Sequence, residues 1–148
     1  MSARIWGVST PDEASQHLAK HLEFVQAIIS RLANSSFLIK GWTLTLATGS
    51  LAFLTQGDVS AKVGIGLIPT ILFWLLDSYF LRQERLFRAL YDEVRVGNVA
   101  AFSMDVVAYN GRPRMQLKSA VVSTTLLFFY GGLLILQFLI SVLLVVIK

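Results

Sequence analysis

The sequence predicts an all-α integral membrane protein with three transmembrane helices, an amphipathic N-terminal helix and a cytosolic helical extension of the second span. Hydrophobic residues make up 55% of the 148-residue chain and charged residues 15%, with a mean hydropathy of +0.64, unusual for a water-soluble globule. Twenty-nine residues from Ser119 to Ile147 include no Asp, Glu, Lys, Arg or His, where roughly 20 apolar residues suffice to cross a hydrocarbon core of about 30 Å. The basic residues, moreover, are concentrated on alternate sides of the apolar runs.

Met1 to Ser9 shows no periodicity and reads as a loose tail. The first thirty residues lack the basic, apolar, small-residue order of a cleavable signal, so the N-terminus is expected to stay attached. A helix then starts at Thr10, with Pro11 at its first position and Glu13 completing a capping box. Leu18, Leu22, Val25, Ile29 and Leu32 form an apolar stripe opposite Lys20, Glu23 and Gln26. Asn34, Ser35 and Ser36 interrupt that pattern, which sets a cytosolic N-terminal region over 1–35.

A transmembrane hairpin is expected over 36–81, with spans at 37–55 and 63–81 joined through Gln56, Gly57 and Asp58. The second span passes without a breaker into Arg82 to Val96, so its helix should project beyond the bilayer. Gly97 and Asn98 mark its stop. Val99 to Tyr109 fits an amphipathic helix or a strand, with helix preferred, and Asn110, Gly111 and Pro113 keep the chain at the surface. The stretch 82–118 is thus read as a cytosolic basic region, largely helical, and 119–148 as the third span.

Orientation follows from the positive charges. Arg4, Lys20 and Arg31 flank the first span; Arg82, Arg85, Arg88, Arg95, Arg112, Arg114 and Lys118 lie between the second and third. The first hairpin has only Lys62 and the C-terminus only Lys148. This distribution predicts a cytoplasmic N-terminus, a cytoplasmic middle and a C-terminus outside, on the periplasmic or extracellular side.

Lys40 and Asp77 are the charges that do not belong in lipid. A charge there costs at least a few kcal/mol unless it is paired, snorkels or faces water. Counted from Val59, Lys40 lies nineteen residues before and Asp77 eighteen after, so antiparallel helices bring them to one depth. They read either as a structural ion pair or as a charged gate at the mouth of an oligomeric pore. Trp42 and Trp74 are matched in the same way, as interface anchors would be. Ser123, Tyr130, Gln137 and Ser141 form one stripe on the third span, and Thr43, Ala47 and Ser50 a shorter one on the first. Such stripes either pack helices or line a pore built by several copies.

The arginines at 82, 85, 88, 95, 112 and 114 concentrate positive charge beneath the membrane, as lipid-headgroup contacts or as an anion site for a nucleotide or oligonucleotide phosphate. Glu84 to Arg88 and Arg88 to Asp92 add helical pairs. His17 and His21, one turn apart after Glu13, give a metal-like pattern that lacks the ligand set of a catalytic zinc. The chain has no cysteine, hence no disulfide or thiolate chemistry, and no Gly-rich phosphate loop or serine elbow. No enzyme activity, metal or cofactor is expected.

The blocks Asn34-Ser35-Ser36-Phe37-Leu38-Ile39-Lys40-Gly41-Trp42 and Phe73-Trp74-Leu75-Leu76-Asp77-Ser78-Tyr79-Phe80-Leu81-Arg82-Gln83-Glu84-Arg85-Leu86-Phe87-Arg88 look like those of small bacterial membrane proteins of unassigned role. From Pro11 to Val96 the layout resembles the SLATT class of two-transmembrane anti-phage effectors, from which the third span departs. The resemblance implies a homo-oligomeric pore that disrupts membrane integrity when a cytosolic activator protein or nucleotide signal reports infection. The alternatives are a non-conducting anchor or adaptor for a soluble partner, and a small transporter subunit coupled to protons through Lys40 and Asp77.

Overall fold

The computed structural model describes residues 10–54 and 63–147, and these hold helices, turns and loops with no strand. The N-terminal tail with Arg4, the turn at 56–58, Lys62 and Lys148 lie outside the described residues.

Helix α1, Pro11–Leu54, opens on the expected capping box: Thr10 Oγ1 accepts from the Glu13 amide at 3.3 Å, and Glu13 Oε2 accepts from the Thr10 amide at 3.2 Å. It then runs unbroken for 44 residues, about 66 Å at 1.5 Å per residue. The interruption expected at Asn34, Ser35 and Ser36 does not break the helix, which passes through residue 35 without a boundary. Neither Gly nor Pro stands there, Ser35 Oγ returns its hydrogen bond to the Arg31 carbonyl, and Ser36 is held by tertiary partners.

Helix α2, Val63–Arg95, is continuous as expected and extends well past its apolar half. Its end is a Schellman motif, in which Gly97 at φ 76° allows Gly97 N–H to reach the Val94 carbonyl and Asn98 N–H the Glu93 carbonyl. The two helices are antiparallel, with Val25 and Ile29 packed on Leu90 and Val94 at one end and Lys40 paired to Asp77 further along. Val25 and Ile29 of the apolar stripe of α1 are therefore packed within the chain. Leu18, Leu22, Val99, Met104, Val106 and Tyr109 close over this small core.

Val99 to Tyr109 does not form the preferred helix, and residues 98–116 run as a loop. Their regular pieces are single 3-10 turns, Val107–Tyr109 and Pro113–Met115. Asp105 Oδ1 takes the Val107 amide at 2.8 Å, and Phe102 adopts φ 55°, a left-handed geometry that bulky residues avoid and that ends any helical run. Phe102 stays there against the rings of His17, His21 and Phe24.

The expected third span is divided. Helix α3, Leu117–Val121, is followed by a break at Val122 and Ser123, and helix α4, Thr124–Ile147, begins beyond it. The carbonyl of Val121 at that break accepts the Trp74 indole N–H at 3.1 Å. Within α4 the turn Leu127–Gly131 is π-helical. Tyr130 and Gln137 meet α2, so α4 lies antiparallel to α2 and parallel to α1, giving an up-down-up bundle. Of the described helices α4 is long and apolar enough to cross a bilayer, and only 17% of its apolar window is buried, unlike the core helix of a soluble domain.

Leu90→Ala is expected to cost about 2–5 kcal/mol by leaving a cavity between α1 and α2. Leu72→Ala, on an exposed face, should change little; equilibrium unfolding in detergent followed by helical circular dichroism separates the two.

Candidate functional site: a buried lysine-aspartate centre

Asp77 lies on the face of α2 turned into the bundle and is fully buried. Lys40 Nζ reaches its Oδ2 at 2.6 Å, from a side chain that is 22% exposed. Ser36, one turn before Lys40 on α1, accepts from Lys40 Nζ at 2.6 Å and donates to Asp77 Oδ1. Tyr130 of α4 donates its hydroxyl to Asp77 Oδ2 at 3.1 Å. The carboxylate thus collects charge-assisted bonds from two other helices, the condition under which a buried charge is tolerated.

Trp74, one turn before Asp77, stacks on Tyr130 with ring centroids 6.0 Å apart and planes 4° apart. It is partly buried, with its indole N–H on the Val121 carbonyl, so it packs within the bundle. Trp42 is 62% exposed. The π turn brings Tyr130 to bear on Asp77 while Phe129 packs edge-on against the same ring.

A second polar layer lies seven residues away along α2, about 10 Å. Thr70 donates to Gln137 Oε1 at 2.8 Å, and Gln137 Nε2 reaches Ser50 Oγ at 3.3 Å and the Gly66 carbonyl at 3.5 Å. Ser141 Oγ returns to the Gln137 carbonyl. Of the expected stripe, Tyr130, Gln137 and Ser141 are therefore buried inside the bundle. Ser123 stands apart at the start of α4, its hydroxyl buried with no partner among the described residues. Thr43 and Ala47 are also buried, on the same seam of α1.

The basic residues form a distinct surface. Arg85, Arg88, Arg112 and Arg114 line one cleft of about 390 Å³ with Asp92 and Ser119. Arg82 sits beside it, donating to the Met115 carbonyl at 2.8 Å and to Asn110 Oδ1 at 2.9 Å. Arg95 is exposed at the end of α2 and is not among the lining residues. Arg112 pairs with Glu93 at 3.0 Å and lies over the Tyr109 ring. Hydrogen bonds from Asn98 and then from Arg112 hold the Glu93 carboxyl below its usual range, while burial, followed by the charge of Glu93, raises Tyr109.

His21 is buried, with Nε2 at 3.0 Å from the Ser103 carbonyl, and His17 packs edge-on against Phe102. These histidines position the 98–109 loop, and no group of three His, Cys, Asp or Glu suited to a metal occurs among the described residues. Comparison with family models, curated proteins and solved structures found no match to this chain.

Ser36 and Thr70 were missed in the sequence. Both carry a legible signal, since Ser36 stands four residues before Lys40 and Thr70 seven before Asp77, each on the same helix face.

Lys40→Met leaves Asp77 buried without its counter-ion and should cost about 3–5 kcal/mol, most of it recovered in Lys40→Met/Asp77→Asn. A double-mutant cycle from detergent unfolding measures this. The Glu93 clamp responds to pH: its folded value is depressed, so its contribution is complete above the usual 4.5 and is lost as pH falls through the lowered value. Amides of the 98–112 loop should then exchange faster, after correction for intrinsic rates, than those of the Leu90 region.

Proposed function

We propose that this chain is a three-span membrane protein acting as a homo-oligomeric effector, whose cytosolic face receives a signal and whose spanning helices move from a sealed to a conducting packing. The observation that carries this reading is the continuity of α2. One unbroken helix holds Thr70 and Asp77 in the bundle and the Arg85 to Val94 stretch beyond it, so a ligand acting on one end has a rigid path to the other.

The spans are supported by what faces outward. Phe37 is 74% exposed, Leu72 60% and Phe128 79%, an apolar surface on α1, α2 and α4 that water disfavours and lipid accepts. The positive charges favour a bacterial inner membrane with the N-terminus and the arginines in the cytoplasm and the C-terminus outside. Neither polar layer leaves a lumen inside one protomer, because its groups are bonded to one another. In this reading the packing is the sealed state, with conduction requiring several copies. The two-helix hairpin with a helical extension is also the layout behind the resemblance to anti-phage effectors, which makes phage infection the proposed trigger.

Two measurements test this. As the chain has no native cysteine, Val96→Cys and Ile147→Cys should label from opposite faces of sealed vesicles; labelling from one face rejects the three-span reading. In liposomes, Asp77→Asn should raise ion flux by about tenfold over the sealed wild type, a shift of about 1.4 kcal/mol between packings, and Lys40→Met/Asp77→Asn should reseal it. Absence of conductance in every oligomeric form rejects the pore.

A further inference from the structure

The cleft beside α2 is built where three pieces of chain meet. Arg85 and Arg88 come from α2, Arg112 and Arg114 from the loop, and Ser119 from α3. Its lining carries four guanidinium groups against one carboxylate, Asp92. Carboxylates outside the lining engage two of those groups, Glu84 on Arg88 and Glu93 on Arg112. Arg85 is fixed by neutral partners instead, with Nη1 on the Arg114 carbonyl at 3.1 Å and on Ser119 Oγ at 3.3 Å. Neither Arg85 nor Arg114 has an ion-pair partner among the described residues. Two uncompensated forks beside an oriented serine hydroxyl, in a volume at the lower end of the roughly 300–1,000 Å³ of ligand sites, define an anion receptor.

We infer that this cleft binds a phosphate group. Arginine forks match the oxygens of a phosphate in pairs, and a doubly charged phosphomonoester can engage the Arg114 fork together with the Arg85 donors not already used on the Arg114 carbonyl and Ser119. Arg85 lies eight residues beyond Asp77, about 12 Å along the helix, a position that either a phosphorylated lipid headgroup or a free phosphate compound could reach. The bound phosphate would tie α2 to the loop and α3, just before the break at Val122 and Ser123 that leads into α4. This inference rests on the effector reading for its consequence, since it names the signal's chemistry, but the binding itself stands apart from conduction.

The test uses the full-length protein in phosphatidylcholine nanodiscs, with pyrophosphate as the soluble probe and discs containing phosphatidic acid as the lipid probe. Arg114→Gln removes an exposed fork with no described side-chain partner, so helicity and unfolding should match wild type while affinity falls about tenfold, one charge-assisted contact. Arg85→Gln should lose at least as much, and Arg95→Gln, outside the cleft, should keep wild-type affinity. Saturable pyrophosphate binding identifies a soluble source; a preference for phosphatidic acid over phosphatidylserine that is lost in Arg114→Gln identifies a lipid source. Binding to neither probe, or equal loss in Arg95→Gln and Arg114→Gln, overturns the site. Phosphate binding without flux would leave the cleft standing and remove the pore, whereas flux without phosphate binding does the reverse.

Discussion

A full negative charge inside an apolar bundle has to be met by donors that water no longer supplies, and Asp77 imposes that demand on every helix around it. Its solution draws Ser36 and Lys40 from α1 and Tyr130 from α4 to one carboxylate. A slide of either helix by one turn would move a donor by about 5.4 Å and break its bond. Depth and register are therefore set together. Apolar contact alone, which tolerates many registers in lipid, would not distinguish them.

The other features of the bundle follow from that alignment. With Asp77 opposite Lys40, α2 brings Thr70 and Gly66 level with Ser50 and Gln137, and the second polar layer closes through direct hydrogen bonds. At the far end the same register lays Leu90 and Val94 on Val25 and Ile29. This ordinary apolar core requires the face of α1 to continue uninterrupted from one environment into the next. The loop of 98–116 then folds over α2, with Arg82 on the Met115 carbonyl and Arg112 on Glu93, and this placement assembles the basic cleft.

The helical class, the capping box at Thr10, the stop at Gly97 and the juxtaposition of Lys40 with Asp77 were all legible, because each depends on spacing along one or two regular helices. What escaped were decisions made by tertiary partners. Ser35 and Ser36 read as a break because their composition suits turns, yet one back-bonds to its own helix and the other belongs to the Asp77 centre. The division of 117–147 depends on Trp74 taking a carbonyl from a distant helix. In the same way, Phe102 holds a strained backbone angle only because the His17, His21 and Phe24 rings surround it. The polar stripe of α4 was legible as a stripe, but which neighbour it faced was not encoded in its own period.

The π turn at Leu127–Gly131 means that α4 has absorbed a residue more than a regular helix would fit over that stretch. Its two halves are consequently indexed differently: Gln137 and Ser141 follow one phase and the residues before Tyr130 another. Deleting one residue there would let the turn revert to ordinary helix with the two halves kept in phase, whereas deleting one from a regular turn of α4 would rotate the leading half by about 100°, carrying the break at Ser123 and the chain before it around the axis. Outside the π turn the length of α4 is thereby locked to its neighbours by phase as well as by distance, so shortening or lengthening it by one residue would act more severely than many substitutions on its exposed apolar side.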